Sequence, residues 1–306
     1  MMRHNFKYVS RRQLFRWFVH LFNTSVLLRM RRWLMRFSPF LRLESQATDT
    51  VYMSWLVDAD LVRHRFPEPI RLWEKDGKTI FSILFYHHHH FGLHCLGPLR
   101  KVFPSPRQSN WRFYLAEELL PKTVVFEQIV VDQMVYVTGG RMLSDAMPAQ
   151  FDPNFQHTVQ HTEQGLKIQA KIKMDDRYQM QVSLASKHEK ALPSDWATVF
   201  ADWDSAMQYF VPQEHVWVEC VDQPMQLSQA NIRIDTDYQA IQALTLEQFE
   251  CPLLHEFGIA EEDQALCFFL SHLDFHVLGE QALDFSAQSV QQPDQVVVET
   301  EQIRNN

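Results

Sequence analysis

Between Leu166 and Leu184 apolar and polar residues alternate strictly, a pattern that a strand satisfies and a helix does not. Leu166, Ile168, Ala170, Ile172 and Met174 fall on one face, and Lys167, Gln169, Lys171 and Lys173 on the other. Asp175-Asp176-Arg177 then supplies a turn, after which Tyr178, Met180, Val182 and Leu184 resume the apolar face. The segment therefore predicts an antiparallel hairpin with one dry and one wet side. Further strands are expected over residues 79–91, 110–116, 123–137, 157–163, 214–221 and 228–234. Short helices are expected from Ala59 to Arg65, capped by Asp58 or Asp60, from Asp195 to Tyr209 and from Tyr238 to Phe249. Repeated antiparallel strands with few helices make a mainly β protein, a barrel or a sandwich.

Composition agrees with one packed body. The chain has 306 residues, with 23 phenylalanines against only 8 glycines, which excludes a linker-dominated or low-complexity design. Four cysteines, Cys95, Cys220, Cys251 and Cys267, lack the spacing of a disulfide framework or a zinc ribbon, so a reducing compartment, the cytoplasm, is expected. Charge divides the chain in two. The formal net charge is −8, yet residues 1–43 hold ten Lys or Arg and no acid, which leaves 19 basic and 37 acidic residues, a formal −18, for the rest. So acidic a body is not a nucleic-acid binder, since phosphate contacts need clustered cations.

The basic segment reads as two helices. Ser10 and Gln13 form a capping box ahead of Leu14, Phe15, Trp17, Phe18, Leu21 and Phe22. A second run carries Val26, Leu27, Met30, Trp33, Leu34 and Phe37 among Arg29, Arg31, Arg32 and Arg36, and stops at Ser38-Pro39. Neither is long or apolar enough to span a bilayer. Three uses stay open: docking of the apolar stripe on the acidic body or in a homo-oligomer, peripheral contact with an anionic membrane through residues 1–43, and organelle targeting. The expected divisions are a basic helical extension over residues 1–45, a β-barrel domain over 46–285 and a Gln-rich acidic tail over 286–306.

Four segments, in this order, carry a resemblance to a known family: MSWLVDADLVRHRFPEPIRL from Met53 to Leu72, FPSPRQSNWRFYL from Phe103 to Leu115, YVTGGRMLSDAMPA from Tyr136 to Ala149, and YFVPQEHVWVECVDQPMQL from Tyr209 to Leu227. Over roughly Tyr52 to Gly279 the chain resembles the uncharacterised YqjF-like branch of the acetoacetate decarboxylase-like superfamily. The resemblance implies an antiparallel β-barrel with peripheral helices and a pocket opening near the Gly139-Gly140 element, which reads as a turn. Family decarboxylases place a lysine directly after a proline there. Here Pro148 is followed by Ala149, which has no amine for a Schiff base, and Trp111 falls where those enzymes place a glutamate. The lysines of the alternating hairpin lie on its wet face and do not replace the missing one.

Two groups of side chains carry the remaining chemistry. Pro104 and Pro106 hold an extended loop ahead of Arg107, Asn110 and Arg112, and Arg141 follows the glycine pair. These guanidiniums suit a small organic ligand, a carboxylate above all, with Asn110 to orient it; the alternative is a structural latch to the acidic body. The second group is the run His87-His88-His89-His90, with His94 and Cys95 behind it. On a strand His88 and His90 share a face and, with His94 or with His157 or His161 as third ligand, make a candidate metal site; the alternative is a strand whose histidines line a polar interior or an exposed face. His272 and His276, set among Phe268, Phe269, Leu270, Leu273 and Phe275, fit a half-buried strand better than a ligand pair. No motif calls for a cofactor, and no P-loop, GxGxxG or nucleophile elbow is present.

Overall fold

A computed structural model describes residues 24–35, 42–67, 70–118, 120–259 and 264–284. Its strands are β1 (Leu43–Asp58), β2 (Lys78–Leu93), β3 (Arg107–Tyr114), β4 (Thr123–Val131), β5 (Gln150–Phe151), β6 (Gln156–Thr162), β7 (Gly165–Lys173), β8 (Gln179–Ser186), β9 (His215–Cys220), β10 (Gln223–Asp235), β11 (Gln242–Glu250) and β12 (Leu266–Asp284). Its α-helices are α1 (Ser25–Met35), α2 (Ala59–Arg63), α3 (Met134–Leu143), α4 (Trp203–Phe210) and α5 (Pro252–Glu256). Among the described residues no helix is long and apolar enough to cross a membrane.

Seven strands close a barrel in the order β1-β2-β3-β4-β9-β10-β12, because β12 pairs back onto β1. Neighbours are antiparallel except β4 and β9. From the edge of β12 that also meets β10, β11 leads away into a leaf of order β11-β8-β7-β6. In the leaf, Ile168 stands opposite Leu184, Ala170 opposite Val182 and Ile172 opposite Met180, with the lysines of β7 exposed, as the alternation requires.

Strands β1, β2 and β3 are covered on both faces, and their alternate residues enter two separate apolar layers. Met53, Trp55, Phe81, Ile83, Trp111 and Phe113 join the inward residues of β7 and β8 and the α5 residues Leu253 and Leu254. Tyr52, Ile80, Leu84, Tyr86 and Tyr114 join residues of β4, β9, β10 and β12, with Phe210 and Trp203 of α4. A leaf that leaves the barrel at β12 can lie only against its outside, so the first layer is the leaf side and the second the inner side. Burying one such aromatic or aliphatic side chain contributes about 1.5–3 kcal/mol, so these layers hold the barrel and leaf together.

Three expected elements change type. The strand expected over 123–137 ends at Val131, and α3 begins at Met134 in place of a glycine turn. Glycines argue against helix in isolation, but at Gly140 a Cβ would sit 3.1 Å from the Met147 carbonyl oxygen, so close approach of the following chain favours glycine there. Residues 238–249 were expected as helix and form a 3-10 turn followed by β11, whose pairing to β8 and β12 outweighs local preference. The helix expected from Asp195 is split into a 3-10 turn, Trp196–Thr198, and α4, which starts at a reciprocal Asp202–Ser205 capping box. Asp58 caps α2 as expected, its side chain accepting from the Asp60 amide at 3.0 Å. The expected helix from Ser10 to Phe22, the end of the second basic run and the tail over 286–306 lie outside the described residues.

Candidate functional site

The register of three adjacent strands assembles a buried polar group on the inner side. Ser54 on β1 stands opposite Ser82 on β2, and Ser82 opposite Arg112 on β3. The two serine hydroxyls are 2.6 Å apart, and Ser82 Oγ donates to the Tyr114 hydroxyl at 3.3 Å. One turn of the pleat away, Tyr86 stands opposite Gln108 and Leu84 opposite Asn110. A chain of hydrogen bonds runs here from Ser45 Oγ to His88 Nδ1 (2.7 Å), from His88 Nε2 to Gln108 Oε1 (3.2 Å), from Gln108 Nε2 to Asn110 Oδ1 (2.9 Å) and from Asn110 Nδ2 to the Tyr86 hydroxyl (2.8 Å). Burial pushes the His88 imidazole down to about 3 and the Tyr86 phenol well up, so both are neutral at neutral pH.

Arg112 carries the charge of this face. It is only 3 % exposed, donates through Nη2 to the Tyr114 hydroxyl at 3.0 Å and to the Phe210 carbonyl oxygen at 3.2 Å, and lies over the rings of Tyr52 and Tyr114 at 5.4 and 5.2 Å. Among the described residues no carboxylate pairs with it, and its Nε has no hydrogen-bond partner. A desolvated cation over two phenol rings gains about 2 kcal/mol from each, and burial opposes that gain.

The other expected ligand contacts are elsewhere. Arg107 is at the start of β3 on the leaf side, where its guanidinium and its amide both bond Asp132, at 2.9 and 2.8 Å. Only Asn110 and Arg112 of the four thus share a face of one strand. Arg141, fully buried on α3, donates to the carbonyl oxygens of Ala149 and Pro148, each at 2.9 Å, and burial pulls its guanidinium down to about 9. It thereby fixes the segment where the resemblance implies a lysine. Ala149 is buried in the inner layer, and every lysine among the described residues is exposed.

The histidine run does not converge. Phe91 stacks on His88, which is engaged by Ser45 and Gln108, while His94 is bonded to Glu44. His90 has φ 57 at an irregularity in the β1–β2 register, which breaks the alternation that would have set it beside His88. His87 meets His157 of β6 on the leaf side instead, with ring centroids 4.8 Å apart. Among the described residues no group of three or more His, Cys, Asp or Glu is arranged to hold a metal ion. His272 and His276 lie on β12, exposed and half-buried respectively.

A second buried polar group, absent from the sequence reading, lies on the leaf side. Arg65 is ion-paired with Glu127, which also accepts from the Tyr178 hydroxyl at 2.7 Å. The Arg65 guanidinium lies 5.2 Å from the centre of the Phe257 ring. Glu127 occupies an irregularity of β4, opposite the step from Trp111 to Arg112, which turns it toward the leaf. The only available signal was a glutamate, followed by Gln128, inside the largely apolar run TVVFEQIVV. A surface cleft of about 850 Å³ is bordered by Arg63, Phe66, Ile70, Trp73 and Glu117, and neither the inner polar residues nor Arg65, Glu127 and Tyr178 line it.

The fold has solved relatives at low sequence identity. The enduracididine biosynthesis enzyme MppR with HEPES buffer bound is 14 % identical, covers 81 % of this chain and 89 % of its own, and superposes with a TM-score of 0.53. An acetoacetate decarboxylase is 14 % identical over 81 % of this chain and 92 % of its own, with a TM-score of 0.50. An acetoacetate decarboxylase-like enzyme from Sphingomonas wittichii RW1 is 11 % identical over 80 % and 94 %, with a TM-score of 0.51. These likenesses establish the acetoacetate decarboxylase-like fold. No curated protein sequence matches the chain. Residues 44–262, which span the barrel strands through β10, the leaf and both polar groups, match the model of DUF2071, described as "Uncharacterized conserved protein (COG2071)", and the chain belongs to that family.

Proposed function

We propose that this protein binds a small organic acid inside the barrel, with its carboxylate on Arg112 and its orientation set by Asn110. The observation that carries this reading is the buried Arg112 guanidinium, which has phenol and carbonyl partners but no carboxylate among the described residues. A planar fork of N–H donors in a dry site recognises a carboxylate bidentately, and the interaction is strongest where water is excluded. MppR has been solved in complex with pyruvate, so a relative of this fold accommodates a small oxo acid. Arg141 positions the Pro148-Ala149 segment, and Arg107 latches the start of β3 to Asp132. Imine chemistry has no support in this reading, because Ala149 supplies only a methyl group and the described lysines face solvent.

The test is calorimetric titration of the full chain with pyruvate and a panel of short mono- and dicarboxylates. At least one should bind and raise the melting temperature, by an amount set by the ratio of its concentration to its Kd. Arg112→Met should abolish that response. Failure of every carboxylate to bind, or undiminished binding in Arg112→Met, would overturn the proposal. Borohydride treatment of the wild-type complex should leave the protein mass unchanged; a reduced adduct would show that a lysine takes part.

A further inference from the structure

A hydrogen bond has a direction, and the chain that crosses the inner face from Ser45 to Tyr86 keeps one sense throughout. Gln108 donates through Nε2 to Asn110 Oδ1 at 2.9 Å, so its carboxamide oxygen is the end turned to His88, 3.2 Å from Nε2. An oxygen there only accepts, which puts the imidazole proton on Nε2. Burial keeps the ring neutral, so Nδ1 carries a lone pair, and Ser45 Oγ, 2.7 Å away, donates to it. At the other end Asn110, whose Oδ1 is engaged by Gln108, donates through Nδ2 to the Tyr86 hydroxyl oxygen at 2.8 Å. Each member thereby sets the role of the next.

The chain ends on a proton. Tyr86 accepts from Asn110, and among the described residues its own O–H has no acceptor. The residue is buried, and desolvation pushes the phenol well up, so that proton stays in place at neutral pH. Tyr86 belongs to the same apolar layer as Tyr52 and Tyr114, whose rings lie against Arg112, and the Arg112 charge reaches its hydroxyl. Asn110, which holds Tyr86, and Arg112 follow each other on one face of β3, about 7 Å apart along the strand. A donor without an acceptor and a cation without a carboxylate thus share one wall, separated by the length of a short carbon chain.

We propose, resting on the reading of Arg112 as the carboxylate site, that Tyr86 is the specificity-determining residue of the inner face: it donates to a second oxygen of the bound acid, and His88 is the positioning residue that holds it in that sense. The ligand is then a short acid whose far end carries an acceptor, a carbonyl or a second carboxylate. A far end of methylene groups leaves the buried phenol proton without a partner. An ammonium group fares worse, because it offers only donors, meets a phenol oxygen already accepting from Asn110, and lies near the Arg112 cation.

Two measurements on the full chain test this, the first without ligand. In nitrogen NMR spectra of histidine-labelled protein, the His88 signals, identified by their loss in His88→Phe, should be those of the Nε2–H tautomer. Turning both amides over would reverse every bond, move that proton to Nδ1 and commit Tyr86 to Asn110, so an Nδ1–H signal would overturn the inference whatever the protein binds. The second is calorimetric titration with 4-oxopentanoate, pentanoate and 4-aminopentanoate, which differ only at the fourth carbon. The oxo acid should bind roughly threefold to tenfold tighter than pentanoate, the worth of one hydrogen bond, and the amino acid should bind most weakly. Tyr86→Phe should remove the preference for the oxo acid and leave pentanoate binding unchanged. His88→Phe, which keeps a ring against Phe91, should reduce the same preference without touching the phenol. Equal binding of the oxo acid and pentanoate, a preference that survives Tyr86→Phe, or Arg112-dependent binding of other carboxylates but of none of these three would overturn the inference and leave the reading of Arg112 standing. Failure of every carboxylate to bind would overturn both.

Discussion

Two buried arginines face opposite sides of the same barrel wall and are compensated differently. On the leaf side Arg65 meets a carboxylate, Glu127, which is further held by Tyr178. On the inner side Arg112 meets two phenol rings, a tyrosine hydroxyl and a backbone carbonyl oxygen. Both have left water, but among the described residues only the first has a counter-charge. A closed ion pair has little left to offer a ligand, and breaking it leaves an uncompensated buried charge. An arginine without a carboxylate partner retains its affinity for one. The chemical identity of the residue is thus a poor guide to its role, and its partner is a better one.

The largest expected effect follows from the closed pair. Glu127→Ala leaves Arg65 buried and unpaired and should lower unfolding stability by about 3–5 kcal/mol, measured by urea denaturation. Arg65→Met should cost a similar amount, because it leaves the buried Glu127 carboxylate without the Arg65 guanidinium. Arg112→Met breaks no ion pair among the described residues and replaces a desolvated cation with an apolar side chain. It should leave stability unchanged or raise it by about 1–4 kcal/mol in the absence of ligand. Equal losses for Arg65→Met and Arg112→Met would erase the distinction between the two sites.

The next effect is a pH dependence that compares the same two sides. Burial holds His88 on the inner side and His157 on the leaf side down to about 3. In the unfolded chain each would titrate near its ordinary value of about 6.5. Below that value the unfolded chain takes up protons that the folded chain refuses, so stability is complete above about pH 6.5 and falls progressively toward pH 3. Each histidine should cost about 1.4 kcal/mol per pH unit across that window. His157→Phe keeps a ring against Phe85 and should remove its share, roughly half of the slope that the pair contributes. An unchanged slope between pH 6 and about 5 in urea melts would show that His157 is solvated in the folded chain.

The alternation from Leu166 to Leu184 was legible because one face of that hairpin is wet, so its period survives in the sequence. Strands β1 to β4 are covered on both sides, and in Met53–Val57 or Thr123–Val131 apolar residues occupy both faces, which erases the period that would say which way each side chain points. That is why Arg107, Asn110 and Arg112 could be grouped by proximity but not sorted by face, although counting by two from Asn110 separates Arg107 from the other pair. The irregularities at His90 and Glu127 defeat even that count. Arg65 and Glu127 are 62 residues apart, so nothing local announces their pairing. The α3 helix was hidden by its two glycines, of which Gly140 is explained by the Met147 backbone packed beside it and Gly139 has no such neighbour.

The smallest effect tests that sorting on a single strand. Arg107 is 40 % exposed on its side chain, and its pair with Asp132 is one of several contacts at the rim, since the Arg107 amide also bonds that carboxylate. Solvent screens such a pair, so Arg107→Ala should cost less than about 1 kcal/mol, an effect best resolved by a double-mutant cycle with Asp132→Asn. Because its side chain points toward the leaf while Asn110 and Arg112 point inward, the substitution should also leave carboxylate binding unaltered. A loss of binding as large as that of Arg112→Met would mean that the ligand reaches the rim of β3 and that the two faces of the strand act on it together.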